Sequence, residues 1–150
     1  MKKLLTILLA TICLFALCAC STGTNPDSNP TGANPIKVGV VQTTQHPALD
    51  AATQGFVDAL KENGITDIDI QNASGESTNC STIVGNFVAD GVDLIMANAT
   101  PALQAASAAT DTIPVLGTSI TVYDVVLGGS VPKNVSGTTD LAPLDEQASM

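Results

Sequence analysis

Basic residues are scarce in this chain. From Cys20 onward only Lys37, Lys61 and Lys133 stand against all fourteen Asp and Glu. A nucleic-acid backbone requires clustered Lys and Arg, so nucleic acid is excluded as a partner. Net charge speaks to solubility and encounter, and the ligand must be read from local chemistry instead. Histidine is rarer still: one His and one free Cys cannot assemble a metal site, and no metal or cofactor is expected. The four Cys make no disulfide framework either, because Cys13, Cys18 and Cys20 crowd the N-terminus and leave Cys80 alone. Cys80 falls in a helix-like segment and is read as a buried structural thiol. Also missing are a nucleophile elbow, a Walker loop, a zinc-binding pair and a dinucleotide fingerprint, since Gly39 alone near the first strand is no phosphate loop. With no base placed beside a nucleophile, the chain is read as a binder and not an enzyme.

The longest apolar run is short. Lys2 and Lys3 precede an uncharged stretch from Leu4 to Leu17, which has the charged and apolar regions of an export signal. It falls short of the ~20 residues that a membrane-spanning helix needs. The run closes in Leu17-Cys18-Ala19-Cys20, which resembles the lipobox of bacterial lipoproteins. That resemblance implies a signal over residues 1–19, cleavage before Cys20, diacylglycerol on the Cys20 thiol, and fatty acylation, as by palmitate, of the new amino group. Such a protein sits on the extracytoplasmic face of the cell membrane, held by lipid and not by a span. Residues 20–35 fit a tether: Ser21 to Pro35 carry no large apolar side chain, so burial cannot offset the entropy of ordering them.

Regular structure is expected from Ile36, where Ile36 to Gln42 is a β-branched run of strand length. Pro47 then suits the first turn of a helix, and Leu49, Ala52, Phe56, Val57 and Leu60 recur at helical spacing until Asn63-Gly64. The unit repeats. Thr66 to Gln71 alternates Ile68 and Ile70 against Asp67 and Asp69, as an outer strand does. Cys80, Ile83, Val84, Phe87 and Val88 follow the pattern of a helix that buries one face. Val92 to Asn98 supplies a third strand, Thr100 reads as the cap and Pro101 as the first turn of an Ala-rich helix reaching Thr110. Ile113 to Gly117 and Val135 to Gly137 are short fourth and fifth strands, joined by a loop through Gly128-Gly129. Alternating β and α units with short links predict an α/β doubly wound parallel sheet, simplest in the order 2-1-3-4-5. In that order the loops after Gln42 and after Ala97 share one crevice. Leu141 to Gln147 resembles the start of another helix, which suggests an N-terminal fragment of a longer protein.

Polar groups gather where the strands end. Gln42, Thr43, Thr44, Gln45 and His46 follow the first strand, Asn98 and Thr100 the third, Thr118, Ser119 and Thr121 the fourth, and Asp140 the fifth. Hydroxyls, amides and one carboxylate suit a zwitterion, whose carboxylate would sit on hydroxyls and helix-start N–H groups. They suit a sugar nearly as well, and Ser, Thr and Asn also favour turns and caps. His46 before a proline reads as a loop or cap residue. Asp50 lies in the first helical turn, where it complements the dipole.

Several stretches occur together in a specific order: Val38-Gly39-Val40-Val41-Gln42 with His46-Pro47-Ala48-Leu49-Asp50, Gly55-Phe56, Gln71-Asn72-Ala73 with Gly75-Glu76, Val92-Asp93-Leu94-Ile95, Ala99-Thr100-Pro101-Ala102, Gly117-Thr118-Ser119 and Asn134-Val135-Ser136-Gly137-Thr138. From Ile36 to the end the chain resembles the ABC transporter substrate-binding proteins of the tryptophan/tyrosine type. The resemblance implies two α/β lobes of the type I periplasmic-binding fold that close on a ligand between them. Residues 36–142 would then be the first lobe and residues 143–150 the truncated start of a crossover to the second. It further implies capture of a small ligand, an amino acid and in particular an aromatic one, for delivery to a membrane permease and its ATPase. By position it implicates His46, Asp50, Thr100, Thr118, Ser119, Thr121 and Asp140 in ligand binding, and the gathering of polar groups at the strand ends adds Gln42 and Asn98. The chain departs from the family after Thr121, where Val122 and Tyr123 precede Asp124. A sugar or nucleoside receptor of the same fold, and an extracytoplasmic sensor domain, are the alternatives. The lipid anchor has its own test: Cys20→Ala is expected to move the protein from the membrane fraction to the soluble one, and unchanged fractionation would refute the anchor.

Overall fold

The computed structural model describes residues 35–141. The expected signal, Cys20, all of the tether but Pro35, and the last residues from 142 to 150 lie outside them. Within the described residues the order is β1 (Lys37–Gln42), α1 (Pro47–Glu62), β2 (Asp67–Asn72), α2 (Ser77–Ala89), β3 (Leu94–Asn98), α3 (Thr100–Ala109), β4 (Val115–Ile120), α4 (Tyr123–Val126) and β5 (Val135–Thr139). The five strands form one all-parallel sheet in the order β2-β1-β3-β4-β5, as the sequence predicts. β1 and β3 are neighbours on either side of the point where the strand order reverses, which is where open α/β sheets take their ligands.

Side-chain alternation divides the core in two. Val38, Val40 and Met96 face α1, joined by Phe56, Leu60, Ile65, Ile68 and Leu94. Val41, Ile95, Ala97 and Val115 face the opposite way, against Cys80, Val84 and Phe87 of α2 and Ala102, Leu103 and Ala106 of α3. Helices thus cover both faces, which a parallel sheet requires. Gly39 breaks the apolar run of β1 for a packing reason: a Cβ there would come 2.6 Å from the Phe87 ring. Only a glycine lets α2 lie so close to the sheet. α1 carries its own start and stop signals. His46 is extended and its Nδ1 accepts from the Ala48 N–H at 3.2 Å, Pro47 and Asp50 occupy the first turn, and Lys61 the last.

β2, β3 and β5 shift by one or two residues from expectation, and three other differences have a clear cause. β4 begins at Val115 and not Ile113, because the Ile113 N–H is taken by Thr110 Oγ1 and Pro114 has no N–H to give. Asn134 Nδ2 completes that turn by donating to the carbonyls of Thr110 and Ile113. α3 is capped by Ala99 and not Thr100, which is already its first helical residue. The stretch read as loop after β4 contains α4, a single turn whose Tyr123 is turned back onto the sheet.

Tyr123 explains why β5 stays paired. Gly117 and Gly137 are register partners, and a Cβ on either would collide with the Tyr123 hydroxyl. The phenol lies over this glycine pair and donates to the carbonyl of Gly117 at 2.7 Å, with the Thr138 carbonyl at 3.1 Å. Burial, and secondarily the Asp140 carboxylate, push its pKa above the ordinary 10.0. A raised acid favours the protonated form when folded, so the stability it contributes is intact below the unfolded pKa and declines as pH rises through the folded one. Tyr123 is the only tyrosine of the chain. Its phenolate absorbance is expected to titrate above pH 10, with stability falling over the same interval and Tyr123→Phe abolishing that dependence. A midpoint at the free-tyrosine value would contradict this.

Candidate functional site

At the carboxyl ends of the strands, register alignment sets four polar residues in a row: Asn72, Gln42, Asn98 and Thr118. All stand on the α1 side of the sheet, by the alternation that puts Val40 and Met96 there. The two central amides are tied to α1 by a buried network. Thr53 Oγ1 donates to Gln42 Oε1 at 2.6 Å and accepts from Asn98 Nδ2 at 2.9 Å. The second Asn98 amide hydrogen goes to the Leu49 carbonyl at 2.8 Å. Gln42 Nε2 donates to Asp50 Oδ1 at 2.6 Å and to the Thr44 carbonyl at 2.8 Å. Every donor of both amides is therefore committed inside the protein. The one unpaired buried side-chain atom among the described residues is Asn98 Oδ1, on a residue 0% exposed; burial of an orphaned acceptor carries a desolvation cost.

The loops above this row are held by backbone bonds. Both the N–H and the hydroxyl of Thr43 donate to the Asn98 carbonyl, at 3.2 and 3.1 Å. Thr43 also covers Cys80, whose thiol burial pushes up in pKa while the Thr43 hydroxyl pulls against it. Among the described residues three non-glycines have positive φ, and each lies at a strand's carboxyl end: Ser74 beyond β2, Ala99 beyond β3 and Ser119 next to the end of β4. Ala99, at φ 79 and ψ 162, occupies a region that belongs almost only to glycine. Its N–H donates to the Thr118 carbonyl, so the strain is fixed by the neighbouring strand. From this residue α3 departs with no acid in its first turn and no side-chain cap. Its first N–H groups are consequently open to an anion.

The residues singled out from sequence take distinct places. Gln42 and Asn98 sit in the network beneath the crevice, Asp50 joins it at the rim, and His46 caps α1. Thr100 opens α3 in the middle of the edge. Thr118 meets the Thr138 hydroxyl at 3.4 Å, Ser119 forms the irregular turn, the Thr121 carbonyl accepts from Thr139 Oγ1, and the Asp140 N–H donates to the Ile120 carbonyl. Asp124 turns to its own helix, where Oδ1 accepts from the Val125 N–H. A cavity of about 630 Å³ opens beside the row, between α1 and β2, bordered by Asp50, Gln54, Ile70 and Asn72. An apolar groove of about 390 Å³ lies on the other flank of α1, over β4 and β5. Thr53, Ile70, Asn72 and Ser74 were not singled out from sequence. The alternation of β2 could have found Ile70, and Thr53 carried a faint signal in standing between Leu49 and Val57 on the buried stripe.

A family model described as ABC transporter substrate binding protein matches residues 37–150. The chain belongs to this family. It is 35% identical to a tyrosine-binding protein of Clostridioides difficile (strain R20291), over 97% of this chain and 46% of that protein. Among solved structures it resembles the ligand-free, open form of CD0873, a substrate binding protein with adhesive properties from Clostridium difficile, at 40% identity and a TM-score of 0.70. That match covers 76% of this chain and 42% of the other. It also resembles an ABC domain in complex with L-Trp from Streptococcus pneumoniae, at 35% identity and a TM-score of 0.66, covering 73% and 40%. The chain thus spans under half the length of these relatives. Membership of a substrate-binding family indicates a binding role and not catalysis.

The network makes its own prediction. Thr53→Val keeps the shape but leaves Gln42 Oε1 and one of the two Asn98 Nδ2 hydrogens unpaired in the interior, and should cost about 2–4 kcal/mol in urea unfolding. Thr53→Ser should recover most of it. A loss below about 0.5 kcal/mol, the range of an ordinary surface substitution, would show that the network does not hold α1.

Proposed function

We propose that the protein is the extracytoplasmic solute receptor of an ABC importer, that it is anchored by lipid at Cys20, and that it captures an aromatic amino acid. The observation that carries this reading is the open start of α3. Three features coincide there: a strained Ala99, unpaired helix N–H groups, and the absence of any acid in the first turn. Together they suit the carboxylate of an amino acid, with the Thr100 hydroxyl as an added donor. The Asp140 carboxylate, with the carbonyls near Ser119 and Thr121, offers acceptors for the ammonium. Thr118 and Thr138 border the same side. Gln42 and Asn98 contribute by position, because their amides fix α1 and the first loop, and His46 by capping that helix. Two relatives, one a tyrosine-binding protein and one solved in complex with L-Trp, support an aromatic ligand.

In this reading residues 36–142 form the first of two lobes. Ligand contacts made from both lobes favour the closed state over the open one, and a membrane permease recognises that closed state. Calorimetric titration of the full-length protein is the direct test. Aromatic amino acids are expected to bind and sugars and nucleosides not to; sugar binding alone would overturn the reading. Thr100→Val should weaken amino-acid binding about tenfold, or ~1.4 kcal/mol.

A further inference from the structure

The peptide group between Asn98 and Ala99 is held from two sides. Its carbonyl accepts from both the N–H and the hydroxyl of Thr43, at 3.2 and 3.1 Å, and its N–H donates to the Thr118 carbonyl at 3.0 Å. Three hydrogen bonds, two from the end of β1 and one to β4, thus set the plane of this one group. That plane is unfavourable in itself, because it fixes Ala99 at φ 79 and ψ 162, a region that a residue with a Cβ enters only under constraint. Rotation of the group about its two flanking bonds would return Ala99 to negative φ, where L-residues ordinarily rest. The same rotation would turn the Asn98 carbonyl away from Thr43 and the Ala99 N–H away from Thr118. Strain and hydrogen bonding therefore pull in opposite directions on a single peptide.

The observed orientation decides what the crevice meets at the start of α3. The Ala99 carbonyl accepts from the Leu103 N–H at 3.1 Å, and Pro101 has no N–H to offer. Among the described residues, the open donors are consequently those of Thr100 and Ala102, and their direction depends on how the chain leaves Ala99. Of the donors on the clamped peptide only the Thr43 hydroxyl belongs to a side chain, and Thr43 is buried.

We propose that Thr43 is a positioning residue: its hydroxyl locks the peptide between Asn98 and Ala99 in the strained orientation, and so keeps the N–H groups of α3 aimed at the ligand's carboxylate before the ligand arrives. The inference rests on the amino-acid reading above and adds what preorganises that site. Without the hydroxyl the peptide turns over in a share of the molecules, and apparent affinity falls with the fraction that stays competent. Glycine at position 99 removes the strain that drives the turn, so the two substitutions offset one another.

The test combines calorimetric titration of the full-length protein by L-tyrosine and L-tryptophan with urea unfolding. Thr43→Val keeps the shape and should weaken both ligands about tenfold. Thr43→Ser, which keeps the hydroxyl, should recover most of that loss. Adding Ala99→Gly to Thr43→Val should bring back about threefold or more of the affinity, a rescue that mere loss of packing around Thr43 would not allow. Ala99→Gly alone should raise the urea midpoint, against the usual sign of a substitution to glycine. A Thr43→Val variant that binds both amino acids as tightly as wild type would overturn the proposal. So would a double variant no better than Thr43→Val, or an Ala99→Gly midpoint at or below that of wild type. Failure of wild type to bind either amino acid would instead overturn the reading on which the proposal rests, and the positioning role with it; the midpoint, which needs no ligand, tells the two failures apart.

Discussion

The Thr53 hydroxyl is the point on which the carboxyl edge depends. It donates to β1 through Gln42 and accepts from β3 through Asn98, so one oxygen on α1 joins the two strands at the reversal of strand order. Apolar packing by Phe56 and Leu60 would hold the helix to the sheet but would leave it free to slide. Hydrogen bonds inside a low-dielectric core are directional and costly to break. They fix the axial position of α1, and with it the His46 cap, Asp50 and the first loop. Neutral amides perform this task without the desolvation penalty that buried charges would bring.

Strain completes the edge. Ser74, Ala99 and Ser119 hold unfavourable backbone conformations at successive strand ends, each of order 1–3 kcal/mol. The Ala99 conformation lets β3 turn into α3 in one residue, which leaves the first N–H groups uncovered where a longer loop would have curled over them. Tyr123 does the corresponding work for the outer strands. It replaces side chains on Gly117 and Gly137 with a single ring whose hydroxyl reaches both strands. The sheet is thus secured on one side of the switch point by amides and on the other by a phenol.

The architecture was legible because its signals are local and repeated. Apolar spacing from Leu49 to Leu60 and from Cys80 to Val88, with proline at helix starts and glycine at helix ends, specifies βα units one at a time. Short links then leave few ways to order the strands. What escaped was set by contacts distant in sequence. Ile113 belongs to the turn before β4 because Thr110 takes its N–H, a competition that hydropathy does not register. Thr100 looks like a cap because threonine usually is one; the preceding alanine takes that place under constraint from the Thr118 carbonyl. Gln42 and Asn98 were recognisable as special polar residues at strand ends. Their amides, however, turn inward to Thr53, a partner concealed among the apolar residues of its helix.

These inward commitments separate two tasks within the crevice. Groups already bonded to the protein cannot change partners without leaving buried donors unpaired, so they supply a fixed frame and little discrimination. On the proposed amino-acid reading, discrimination falls to groups that remain free, among them the α3 N–H groups that the ligand's carboxylate would satisfy. If this chain is one lobe of two, as proposed, a frame that does not rearrange would hold it in its binding form before a ligand arrives, with little ordering entropy spent on this side. On the proposed two-lobed reading, the free energy that favours closure must then come chiefly from contacts made across the cleft. On that reading this lobe would set which ligand is held, and closure would depend on how well that ligand reaches the opposite wall.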